Sequence, residues 1–107
     1  MEGYYSGDHS AQLIAILTDP HAREDERDDA AMDLEFFSGP EVESALAETI
    51  RNEGFSSVLA QTAAESLAGI WAREGRIDQG LFDELKGQAR YEVLGILSAR
   101  APHLIPS

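Results

Sequence analysis

The chain has 107 residues, the size of one ordinary domain, and its 43% hydrophobic and 26% charged residues are too apolar a mixture for a disordered polymer. Twenty acidic residues face eight Lys and Arg, giving a formal charge of −12, and there is no cysteine. This excludes disulfides and thiolate metal centres and argues against nucleic acid and anionic membrane as partners, because the net field repels phosphate.

The charge is uneven. Met1 to Trp71 carries 15 acidic residues against 3 Arg, whereas Ala72 to Ser107 carries 5 against 5. Such a field either keeps a small protein in solution or steers a basic partner toward it. Met1 to Ser10 lacks the basic and apolar regions of a secretion signal, and no apolar run nears the roughly 20 residues of a membrane span, so a cytoplasmic chain is expected.

Asp8 or Ser10 is a candidate cap for a first helix carrying Leu13, Ile14, Ile16 and Leu17, which Asp19-Pro20 ends. A second helix spans about 24–37, with Ala30, Leu34 and Phe37 on one side, and Ser38-Gly39-Pro40 stops it. Pro40 suits the first turn of a third helix bearing Val42, Ala45, Leu46 and Ile50, with Gly54 just past its end. Ser56 or Ser57 opens the fourth, whose stripe of Leu59, Ala63, Leu67 and Ile70 runs to Trp71 before Gly75. Trp71 aligns with Leu97 and is expected in the core. Asp78 caps a short fifth helix with Leu81, Phe82 and Leu85, and after Gly87 a sixth carries Ala89, Val93, Leu94, Ile96 and Leu97. Residues 101–107 form an irregular tail, and no segment alternates as a strand does.

The pairs repeat. Leu13, Leu17 and Asp19 recur 33 positions on as Leu46, Ile50 and Asn52, and Ala30, Ala31 and Leu34 recur at the same offset as Ala63, Ala64 and Leu67. In a weaker third copy, Leu81 and Leu85 follow Leu46 and Ile50, and Val93 to Leu97 follows Leu67 to Trp71. With Asp19-Pro20 in a turn and Arg27 ahead of Ala30, Ala31 and Leu34, residues 10–100 resemble the HEAT-repeat family. The resemblance implies an all-α fold, a short superhelix of about three antiparallel helix pairs in one domain over 1–107. Its repeats fall at about 9–38, 40–74 and 78–100. It also implies that Asp19 and Arg27 tie neighbouring repeats together and that the second helices line a concave surface.

No catalytic or metal motif emerges, so a non-enzyme without cofactor or metal is expected. His9, His21 and His103 share no helical face, and Asp25, Asp28 and Asp29 lack the order of a calcium loop. A rotation of about 100° per residue instead aligns Asp25, Asp28, Met32 and Glu35 opposite the apolar side of the second helix. The repeat offset brings Gln61 and Glu65 beside them, then Tyr91. With Asp29, these eight residues form a candidate surface for a basic protein partner. By class analogy that points to a small acidic inhibitor or immunity-type protein holding a basic partner such as a toxin nuclease, as a monomer or weak homodimer. The alternative is an adaptor that self-associates through an uncapped end, with Leu104-Ile105 contributing. Tyr4-Tyr5 is either a lid on the first helix or part of a binding edge.

Overall fold

Local chemistry sets the helix boundaries. The computed structural model describes the backbone of residues 7–106 and the side chains of residues 9–106, so Tyr4-Tyr5 lies outside it. Helix α1 (Gly7–Leu17) is already under way at Gly7, so Asp8 and Ser10 sit inside it and neither is its cap. At its far end the Thr18 hydroxyl donates to the Ile14 carbonyl at 2.8 Å, and Asp19 Oδ1 accepts from the His21 amide at 2.9 Å, closing a turn around Pro20. Asp19 therefore serves its own turn.

Helix α2 (Glu24–Asp33) begins with Glu24, Asp25 and Glu26, whose charges suit the positive end of the helix dipole. It ends earlier than its sequence pattern suggests, tightening into a 3-10 turn at Leu34–Phe36. Gly39 then turns the chain at φ +119°, where a β-carbon would be strained, and Pro40 starts α3 (Pro40–Glu53). Ser57 caps α4 (Val58–Glu74), its Oγ accepting from the Ala60 amide at 3.1 Å. Gly75, left-handed at φ +75°, ends that helix by donating to the Trp71 carbonyl at 2.8 Å. Asp78 caps the short α5 (Gln79–Glu84) through the Leu81 amide at 3.1 Å. Helix α6 (Gly87–Arg100) follows, and the tail makes one 3-10 turn at Pro102–Leu104. The described residues form six α-helices and no strand, and none of these helices is long and apolar enough to cross a membrane.

Helix α4 is the hub, packing against α2, α3 and α6, while α1 packs on α2 and α3. Its sequence shows why: Leu59, Ala63, Ala64, Leu67, Ala68, Gly69, Ile70 and Trp71 are all buried, and the small residues let neighbouring backbones approach. The Ser66 hydroxyl donates to the Ala31 carbonyl at 2.6 Å, joining α4 to α2 in the core. Ala30 and Ala63, equivalent by the sequence repeat, are both buried in that core. The radius of gyration of 13.2 Å matches the roughly 13 Å of a compact domain this size.

Polar ties link helices that are distant in sequence. The Arg27 guanidinium donates to the Leu17 carbonyl at 2.9 Å and to Glu53 Oε2 at 3.1 Å, so it joins α1, α2 and α3. Arg51 reaches Glu84 at 2.8 Å and Arg76 reaches Glu43 at 3.2 Å, both 33 residues apart in the chain. Arg73 donates to the carbonyls of Glu35 and Phe37 at 2.7 and 2.8 Å, pinning the turn between α2 and α3 to the end of α4.

Candidate protein-binding surface

Because α2 and α6 flank α4, a carboxylate from each helix can meet in one place. Glu65, near the middle of α4, is held above the usual carboxylate value, first by burial, next by its hydrogen bond with the Glu92 carboxyl, then by the charges of Glu92, Asp28 and Glu35. The carboxyls of Asp28, Glu35 and Glu92 all act on Glu65, so the site is short of positive charge. Arg100 supplies some: its Nη1 lies 3.4 Å from Glu35 Oε2. No described residue makes an ion pair with Asp28, Glu65 or Glu92, and Asp28 Oδ1 is occluded without a hydrogen-bond partner.

The line Asp25, Asp28, Met32 and Glu35 is therefore not a fully solvated back of α2. Asp25 is exposed and paired with Arg23 at 2.7 Å, whose hydrogen bond holds its carboxyl below the usual value. Asp28 and Glu35 are half-buried, because α4 stands on their flank; the Glu35 carboxylate lies where a β-carbon on Gly69 would project. Asp29 is exposed and is not among the charges acting on Glu65. Gln61 spends its amide on the Ser56 carbonyl at 3.0 Å, at the entry to α4.

On α6 it is Glu92, one residue beyond Tyr91, that meets Glu65. A neighbouring helix touches α4 with its near flank, about 100° round from the position that the repeat offset selects. Tyr91 instead stands 70% exposed beside a shallow hollow lined by Leu94, Gly95 and Ile96.

Large exposed apolar side chains complete the surface. Met32 is 49% exposed, and Phe36, one turn further on, is 79% exposed because the 3-10 turn swings it out while Phe37 packs on the core. Val58, 68% exposed, precedes Gln61 by three residues and Glu65 by seven, on the same side of α4. Sequence reasoning passed over Phe36, Val58, Glu92 and Arg100. A signal existed only for Glu92, which an inspection of both flanks of the sixth helix would have found. Trp71 is fully buried, as its alignment with Leu97 implied.

Among the described residues no group of three or more His, Asp or Glu is placed to hold a metal ion. Comparison with protein-family models finds no match, and comparisons with curated proteins and with solved structures find no significant one.

Proposed function

We propose that the chain is a short HEAT-like stack of three helix pairs that binds a basic protein partner on the face of α2, α4 and α6. In this reading it is a non-catalytic inhibitor or immunity-type protein whose partner is a basic protein such as a toxin nuclease. The observation that carries it is the meeting of Asp28, Glu65 and Glu92 with no cation of their own. A partner Lys or Arg placed there would relieve their repulsion, which makes association more favourable than the contact alone. Phe36, Met32 and Tyr91 supply the apolar and aromatic anchors that such interfaces concentrate. Support for the stack comes from the lateral packing of α2, α4 and α6, the shared burial of Ala30 and Ala63, and ion pairs at the 33-residue spacing.

The test is an association-rate measurement on the basic protein captured by the intact chain. Replacing Asp28→Lys with Glu92→Lys slows association by about tenfold or more and flattens its salt dependence. An on-rate that ignores both the substitutions and the salt ends this reading. The hollow beside Tyr91 on the outer flank of α6 favours one alternative, an adaptor that meets a second copy there. A dimer that persists on dilution in light scattering, and is lost with Tyr91→Lys, would select it. The tail supports that alternative less, since Leu104 and Ile105 pack against the chain's own core.

A further inference from the structure

The far end of α2 carries a second feature. Four described residues line a hollow of about 280 Å³ there: His9 from α1, Asp33 from the last turn of α2, and Phe36 and Phe37 from the 3-10 turn and the residue that follows it. The His9 and Phe37 rings stand 5.5 Å apart between centroids and are tilted by 55°, so they meet as two angled walls and not as a flat stack. Phe36 adds a third ring. It is 79% exposed, because the tightened turn leaves one of the two consecutive phenylalanines outward while Phe37 packs against the core.

The charges around the hollow call for a cation. The Asp33 carboxylate is exposed and makes no hydrogen bond or ion pair with any described residue. It also sits at the carbonyl end of α2, where the helix dipole is negative and a basic side chain is the favourable choice, yet the last turn of α2 has none. The one arginine of that helix, Arg27, is committed to Leu17 and Glu53. Arg73 is committed to the carbonyls of Glu35 and Phe37 and does not line the hollow.

These features select among ligands. A neutral apolar group would cover Asp33 without giving it a partner, and an anion would meet both the carboxylate and the negative end of the dipole. A bare ammonium is strongly hydrated and holds its water in preference to the rings. An ammonium that bears alkyl groups presents apolar carbon to the ring faces and positive charge to both the rings and the carboxylate. The hollow is smaller than the roughly 300–1,000 Å³ of sites for drug-sized ligands, which suits a head group of this kind.

We infer that the hollow between α1 and the end of α2 is a binding site for an alkylated ammonium group, walled by the rings of His9, Phe36 and Phe37 and balanced by the Asp33 carboxylate. Its source is either a free quaternary amine or a methylated lysine within a chain. The site borders the acidic face of α2, α4 and α6 through Phe36, but it uses none of Asp28, Glu65 and Glu92 and does not depend on that face having a partner.

The intact protein is titrated at about pH 8, above the ordinary titration range of imidazole, with choline and with an acetylated Ala-trimethyllysine-Ala tripeptide amide. The neutral control is 3,3-dimethylbutanol, the carbon analogue of choline. NMR signals of the His9 ring and of the amides from Asp33 to Phe37 report on the hollow, with the rings of His21 and His103, which do not line it, as internal references. Both cations are expected to shift these signals saturably, while the neutral analogue binds about threefold more weakly or worse. Tighter binding of the tripeptide than of choline identifies a methylated chain as the source, and equal or weaker binding a free amine. Phe36→Leu and Asp33→Asn, both at exposed positions, each weaken the titration about two- to fivefold. No saturable shift up to about 10 mM, equal binding of the neutral analogue, or indifference to either substitution overturns the assignment.

Discussion

The Ser66 hydroxyl, fully enclosed in the core, donates its proton to the carbonyl of Ala31 in the last turn of α2. A single side chain on α4 thus ties α2 to it. Replacing Ser66→Ala removes this buried hydrogen bond, so urea unfolding is expected to show a loss of about 0.5–1.5 kcal/mol. An unchanged midpoint would mean that the carbonyl finds another donor.

The Glu65 carboxyl binds its proton more tightly in the folded chain than in the unfolded one. The folded state then holds more protons between the ordinary carboxylate value and the raised one, so this group's contribution falls as pH rises through that window. Glu65→Gln removes the charge that burial and the carboxyls of Glu92, Asp28 and Glu35 oppose. It is expected to raise stability at neutral pH by about 0.5–1 kcal/mol and to flatten the decline. Parallel stability curves for the two proteins, measured from acid to neutral pH, would contradict this.

Arg27 reaches a backbone carbonyl and a carboxylate with two different nitrogens, and its side chain is only 13% exposed. A lysine cannot fill both places. Arg27→Lys should cost about 1 kcal/mol, and Arg27→Met about 2 kcal/mol or more, because the Leu17 carbonyl and Glu53 lose their donor. Equal stability of the lysine variant would show that one of the two contacts contributes nothing.

Two helical glycines should respond oppositely to alanine. A β-carbon on Gly95 of α6 meets nothing among the described residues, so Gly95→Ala is expected to stabilise by about 0.5–1 kcal/mol through helix propensity. On Gly69 of α4 it meets the Glu35 carboxylate, which must move and give up Arg100. Thermal melts should show Gly95→Ala raised and Gly69→Ala unchanged or lowered. The same gain at both positions would place Glu35 elsewhere.

Helix existence was legible because punctuation and periodicity agreed: Pro40, Ser57, Gly75 and Asp78 each act in the structure as their chemistry dictates. The early end of α2 was hidden, since Leu34 and Phe37 fit an unbroken helix as well as a 3-10 turn followed by an extended residue. Of the expected surface, the closeness of Asp28 and Glu35 to Glu65 followed from sequence spacing plus the repeat. The part played by Glu92 did not, because a repeat offset gives equivalent positions while contact depends on which flank faces the neighbour. Gln61 looked like an open polar residue, and only coordinates show its amide committed to Ser56.

The central position of α4 bears on how the chain comes apart. Long repeat arrays can fray from one end while the remainder persists, since each unit leans only on its neighbours. Here neither α2 nor α6 can leave without uncovering a side of the same 17-residue helix, whose Leu67, Ile70 and Trp71 are buried. Partial melting is thereby penalised from both directions, and the molecule should lose its structure in one all-or-none step.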